Sequence, residues 1–343
     1  MIRFDCDYTE GAHPNIIAAL SESNFEQTCG YGEDHHCENA RAYIKKAIGC
    51  ESADVHFLVG GTQANMTVIA SILRPYQGVL CAESGHINCH ETGAVEATGH
   101  KVLALKHKEG KICARQVKDY VAAHWRDAAH EHIVQPGMVY ISQPTEYGTL
   151  YSCQELEELY SACRELKLPL FVDGARLGYA LAADKSFTLP FLAANCDIFY
   201  IGGTKVGCLF GEAVCITNDA LKRDFRYMIK RMGGMLAKGR LLGIQFEEMF
   251  RDGLYFRVAE KAVANALRIK AALIEKGIPL LMDSATNQQF PILTKAQQAA
   301  LGEKYALGFW DTTGGETDAI RICTSWASSD ENVDALIADI LAL

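Results

Sequence analysis

No stretch of this 343-residue chain stays apolar for the roughly 20 residues that a membrane-spanning helix needs, so no span is expected. No run of five basic residues occurs, and 33 basic side chains against 42 acidic ones leave a net charge of −9. That sign argues against nucleic acid or an anionic membrane as partner. The opening MIRFDCDYTEG turns acidic within five residues and no apolar stretch follows, so neither a secretory signal nor a transit peptide is expected. Cys-x-x-Cys is absent too. The thirteen cysteines are odd in number and scattered singly from Cys6 to Cys323, which points to reduced thiols in a cytoplasm. The nearest approaches to a metal cluster are His35-His36-Cys37 and the group Cys81, His86, Cys89 and His90. Neither repeats the paired spacing of a structural zinc site, and no metal is expected.

What is present is an ordinary globular composition, 49% hydrophobic and 22% charged. From about Ser52 onward, short β-branched runs alternate with amphipathic stretches, the pattern of an α/β protein with a mostly parallel central sheet. The expected strands are Val55–Val59, Gly78–Ala82, Lys101–Leu105, Met138–Ile141, Leu168–Val172, Asp197–Ile201 and Glu212–Thr217. The clearest helix between them is Cys153–Leu166, with apolar residues recurring at three and four. Leu241–Lys276 reads as helix interrupted near Gly253. After it, Pro279–Leu281, Gln289–Pro291 and Ala319–Cys323 read as strands of a smaller α+β unit closed by a helix at Glu331–Leu343. A division into residues 1–245 and 246–343 is therefore expected.

Three local patterns carry chemistry. Gly60-Gly61-Thr62 follows a strand and precedes a helix opening near Gln63. Such a turn offers free amides, a hydroxyl and the positive end of a helix to one phosphate, or is a plain βα turn capped by Thr62. It lacks both the nucleotide-binding Gly-Lys-Ser/Thr ending and GxGxxG. Asp173 ends a fully apolar strand, where a carboxylate faces the ligand cleft of an open sheet. There it can bind a metal, cap a helix or pair with a cationic ring nitrogen. Lys205 lies in the uncharged, glycine-rich stretch Ile201–Phe210, either as a buried amine able to attack a carbonyl or as a lysine reaching out to water. The three together, an Asp about 110 residues after the turn and a Lys 32 residues later, match what pyridoxal 5'-phosphate requires. That cofactor needs a phosphate cradle, a carboxylate at its pyridine nitrogen and a lysine for its Schiff base.

With those residues in view, the chain resembles the low-specificity L-threonine aldolases, the aromatic amino acid β-eliminating lyase/threonine aldolase family. TCGYGEDHHCENA (Thr28–Ala40), ESGHINCHETGA (Glu83–Ala94), VDGARLG (Val172–Gly178) and IRICTSW (Ile320–Trp326) are similar to its motifs. The resemblance implies the aspartate-aminotransferase-like fold, PLP fold type I, and retro-aldol cleavage of L-threonine, L-allo-threonine or a related β-hydroxy amino acid. By the same resemblance, Gly61 and Thr62 hold the phosphate, Asp173 pairs with the ring nitrogen and Lys205 carries the cofactor. Arg176 lies beside the ring oxygen and the substrate carboxylate, and Arg321 clamps that carboxylate. His86 covers the ring and is nominated as the base. Tyr31 and Cys6 are expected at the substrate, Cys6 standing where the family has a serine. Thr204 replaces the serine before the lysine, and Gly60 the first serine of the phosphate turn. A homodimer or homotetramer is implied, with the Tyr31 loop and Lys230–Arg240 as the segments offered to a neighbour. The same cofactor would also serve a β-eliminating lyase or an aminotransferase, and a non-catalytic PLP- or metal-binding protein is a third reading.

Overall fold

The computed structural model describes residues 1–343. Seven strands form the central sheet: β1 (Asp54–Leu58), β2 (Gln77–Ala82), β3 (Lys101–Leu105), β4 (Gln135–Ser142), β5 (Leu170–Asp173), β6 (Ile198–Gly202) and β7 (Glu212–Ile216). Their spatial order is β1-β7-β6-β5-β4-β2-β3. Only β7 runs antiparallel to its neighbours, so the sheet is mostly parallel. All seven expected strands are present with ends shifted by a residue or a few.

The middle strands are apolar throughout because both faces are covered. Along β4 to β6, Val139, Ile141, Leu170, Val172, Phe199 and Ile201 pack into one core. The alternate residues Met138, Tyr140, Phe171, Ile198 and Tyr200 pack into the other. This period of two later decides which side chains meet at the site.

The helices that matter here are α1 (His35–Ile48), α2 (Gly61–Ile72), α3 (Cys153–Leu166), α4 (Arg240–Arg251), α5 (Leu254–Glu275) and α6 (Asp330–Ala342). Helix α3 has the expected bounds, set by the Ser152/Glu155 capping box and by Lys167 in the left-handed region at its end. Helix α2 begins at Gly61, two residues before the expected start. The break near Gly253 is real: φ of +69° there lets α5 start in a new direction. No helix is long and apolar enough to cross a membrane.

Beyond α5 lies a small antiparallel sheet of β8 (Gln288–Gln289), β9 (Ile292–Thr294), β10 (Gly308–Gly314) and β11 (Thr317–Cys323). Its apolar face joins α5 and α6 in a third core that includes Ile269, Ile320 and Leu336. Pro279–Leu281, expected as a strand, makes only one bridge, Leu280 with Pro291. Proline at 279 has no N–H to extend a ladder. The strands β9 and β10 carry too little alternation to be read from sequence, and most of β10 is exposed.

Candidate active site

Strand parity explains the environment of Asp173. Along β5, Leu170 and Val172 face one core and Phe171 the other, so Asp173 faces the side of Phe171, Tyr140 and Tyr200. Tyr140 Oη donates to its Oδ2 at 2.6 Å and Tyr200 Oη to its Oδ1 at 2.5 Å. Asn65 Nδ2, from the helix covering that face, reaches Oδ2 at 3.0 Å, and the Ala175 amide reaches Oδ1 at 2.9 Å. Burial alone would raise the carboxyl's pKa. The His86 imidazole and the donors from Tyr140, Tyr200 and Ala175 outweigh it and hold Asp173 below its ordinary value. Asp173 is thus a buried anion on the cavity wall.

The turn after β6 carries Lys205 back over the strand ends. Glycine lets the ends of β5 and β6 approach here: a Cβ at Gly174, just after β5, would lie 1.9 Å from the Tyr200 carbonyl oxygen, and one at Gly202, the last residue of β6, 2.3 Å from that of Ala175. Beneath the lysine, Glu212 opens β7 and is buried. It accepts hydrogen bonds from Thr204 Oγ1 at 2.9 Å and the Gly203 amide at 3.1 Å. Burial, then the neighbouring Arg176 charge, lower the pKa of Lys205. Burial pushes Glu212 the other way, up to about 8.

At the start of α2 the first intrahelical bond is Ala64 N–H to the Gly60 carbonyl, which leaves the amides of Gly61, Thr62 and Gln63 without partners in the helix. This end of α2, His86, Asp173, Arg176 and Lys205 line one cavity of about 290 Å³. A second, of about 670 Å³, shares Tyr8, His86, Glu146, Arg176 and Lys205 with it and adds Arg321, His90 and Trp310. Seven of the residues singled out in the sequence therefore meet around one cleft: Gly61, Thr62, His86, Asp173, Arg176, Lys205 and Arg321.

Two do not. Tyr31 has φ of +61° and lies under Lys230 Nζ, 4.9 Å from the ring centroid, lining a different hollow with Gly32 and Arg226. The two segments offered to a neighbouring copy thus meet each other. Cys6 lines neither cavity; the residues flanking it hold the arginines instead. Asp7 grips Arg176 with two bonds, and the Asp5 carbonyl accepts from Arg321 Nη2 at 2.9 Å.

Neither metal candidate gathers as a whole, although His35 and His36 of the first converge with Glu26. The Cys37 thiol is buried against α4, pointing to the Gly239 carbonyl, while His36 pairs with Glu247 and Glu26. Cys89 points to the Glu83 carbonyl and Cys81 is buried below it. The one convergent group of three is Glu26, His35 and His36, with ligand atoms within 4.8 Å of one another.

Several contributors were missed in the sequence: Tyr140, Tyr200, Asn65, Glu212, Glu146 and Asp7. Tyr140 and Tyr200 stand on the two strands that flank β5, so alternation along β5 by itself does not point to them. Glu91 accepts from His86 Nδ1 at 2.7 Å and Asn65 Nδ2 at 2.7 Å. It links the His86 and Asp173 clusters.

Residues 7–296 match the family model described as beta-eliminating lyase. The chain belongs to that family. The low specificity L-threonine aldolase of Pseudomonas aeruginosa is 31% identical over 98% of this chain and 96% of its own length. That of Pseudomonas sp. is 30% identical over 99% and 97%. Among solved structures, Leishmania major threonine aldolase is 41% identical and superposes with a TM-score of 0.96, covering 99% of this chain and 98% of its own. A Thermus thermophilus aspartate aminotransferase shares only the fold, at 13% identity and a TM-score of 0.73. The protein is a PLP-dependent lyase of PLP fold type I. Its cleft fits that cofactor by the chemistry of its donors: free amides and a hydroxyl for one phosphate, a buried anion, and an amine of reduced basicity, all on one cavity.

Proposed function

We propose that this lyase cleaves L-threonine, L-allo-threonine or a related L-β-hydroxy-α-amino acid to glycine and an aldehyde. The observation that carries the reading is the meeting of Lys205, Asp173, Arg176, His86 and the Gly61-Thr62 turn on one cavity. Bound pyridoxal phosphate supplies the electron sink that lets a bond at Cα break heterolytically. Gly61 and Thr62 would hold its phosphate, and the Asp173 carboxylate would favour a protonated ring nitrogen. Lys205 would attach the cofactor, and burial lowers its pKa so that the free amine is available to a carbonyl. His86, whose Nδ1 is held by Glu91, lines the same cavity and would cover the cofactor ring.

The carboxylate of the substrate falls chiefly to Arg321. Arg176 has Nε and Nη2 committed to Asp7, whereas Arg321 commits only Nη2, to the Asp5 carbonyl, and lines the wider part of the cleft. A planar guanidinium there suits a carboxylate, whose two oxygens match it. Cys6 acts through its flanking residues, which set the approach of both arginines. Tyr31 serves a neighbouring copy's cleft in a homodimer or homotetramer. A cytoplasmic setting and a chain divided near residue 245 complete the proposal.

The test is a product assay of wild type and Lys205→Ala with L-threonine, L-allo-threonine and phenylserine. Glycine with the matching aldehyde is the expected product. Pyruvate with ammonia would mean β-elimination, and a keto acid formed only with an amino acceptor would mean transamination. Glycine release by Lys205→Ala at the wild-type rate would overturn the assignment of the lysine.

A further inference from the structure

Glu146 is a buried carboxylate on the loop that follows β4. It lines both parts of the cleft together with Lys205, Arg176 and His86. Its two oxygens differ. Oε1 accepts from Ser142 Oγ at 2.7 Å and from the His86 amide at 2.9 Å. Oε2 makes no hydrogen bond and is not among the sealed, unpaired polar atoms, so it opens to the cleft. A carboxylate fixed through one oxygen, with the other bare toward the substrate space, is held as a proton acceptor would be.

We propose that Glu146 Oε2 is the general base that takes the β-hydroxyl proton of the substrate. The proposal rests on the functional reading above. The O–H electron pair becomes the π bond of the aldehyde carbonyl, and the Cα–Cβ bond breaks. Its pair remains on Cα, the position the cofactor stabilises, until a proton is added there to give glycine. Solvent supplies the proton added at Cα, and Glu146 gives the hydroxyl proton up to solvent. Burial raises the Glu146 pKa, and nearby Asp173 adds to the effect, while the Ser142 hydroxyl and His86 oppose it. A carboxylate raised in this way is a stronger base than an exposed one.

His86 is the other group able to accept that proton. Its Nδ1 is already held by Glu91, which fixes the ring as a cover. The two residues therefore predict different variants. Glu146→Gln keeps an oxygen for Ser142 and the His86 amide but turns Oε2 into an amide that cannot accept a proton. Removal of an α-proton from glycine needs no β-hydroxyl base, so it separates this role from cofactor binding.

The experiment compares wild type, Glu146→Gln and His86→Asn, each loaded with PLP. It reads cleavage of L-threonine, deuterium exchange at glycine Cα, visible cofactor absorbance and the glycine Kd from spectral titration. Glu146→Gln is expected to keep the absorbance and the glycine Kd, to exchange glycine at a rate near wild type, and to lose about 10²–10⁴-fold in cleavage kcat. Cleavage within tenfold of wild type would overturn the proposal. So would loss of absorbance or of glycine exchange in step with cleavage, because the residue would then be structural. A loss of cleavage confined to His86→Asn would transfer the base to His86. Wild type that releases no glycine from any β-hydroxy amino acid would instead sink the functional reading itself.

Discussion

Asp7 and Arg176, 169 positions apart, form a two-point ion pair with Nε to Oδ2 at 2.7 Å and Nη2 to Oδ1 at 2.9 Å. The carboxylate is fully buried and the guanidinium nearly so. Asn287 Nδ2 adds a third donor at 2.9 Å. The pair pins the N-terminal segment over the cleft and holds in place an arginine that faces the cofactor cavity.

Breaking it from one side leaves a buried charge uncompensated. Asp7→Ala should lower stability by about 3–5 kcal/mol, read from urea unfolding of the cofactor-free protein. Against the cost of burial, Arg176 holds the Asp7 pKa down at about 2. A carboxyl depressed on folding stabilises the chain above its ordinary value of 3.8, and that contribution disappears as pH falls towards 2. Asp7→Ala should therefore lose more stability at neutral pH than in that acid range. A variant as stable as wild type at neutral pH would count against the pair.

Asp173 holds four hydrogen bonds, so replacing its charge while keeping its shape is the informative change. Asp173→Asn should bind the cofactor and still lose about 10²–10³-fold or more in kcat, as expected for the loss of a site charge in a water-poor cavity. Cofactor content measured beside the rate checks this. Unchanged kcat would remove Asp173 from the mechanism.

Glu212 gives a pH test of opposite sign. Its folded value of about 8 stands above the ordinary 4.5 because burial disfavours the charge, although Lys205 and the Thr204 hydroxyl pull it down. Between those values the folded chain keeps a proton that the unfolded chain has lost, so stability falls as pH rises through the window. The urea midpoint of the cofactor-free wild type should drop between about pH 5 and 8, and Glu212→Gln should flatten that slope. Equal slopes in the two proteins would show that Glu212 does not titrate there.

Arg321 lines the cleft, with its guanidinium 5.6 Å from the Trp310 ring centroid. Arg321→Lys keeps the charge but loses the planar fork. KM for L-threonine should rise on the order of 10- to 100-fold, equivalent to about 1.4–2.7 kcal/mol, with a smaller change in kcat. Steady-state kinetics with threonine distinguish this from a change in kcat alone.

The residues legible in the sequence were those announced by their neighbours in the chain. Lys205 stands out in an uncharged glycine turn, Asp173 ends an apolar run, and Gly61-Thr62 joins a strand to a helix. Alternation along β5 puts Asp173 on the face of Phe171 but does not reach Tyr140 and Tyr200, which belong to other strands. It cannot say that β4 and β6 flank β5, because the order β1-β7-β6-β5-β4-β2-β3 is a property of the assembled sheet.

The sequence alone therefore determined the fold class and the local signature of the cofactor site, through hydrophobic periodicity and turn chemistry, which act over a few residues. Tertiary structure decided what surrounds each member: Asp7 on Arg176, Glu212 beneath Lys205, Glu91 between His86 and Asn65, and Glu146 across the cleft. Those partners come from distant segments whose meeting depends on strand order and packing. Burial in that packed interior, which no local pattern reveals, then shifts their protonation.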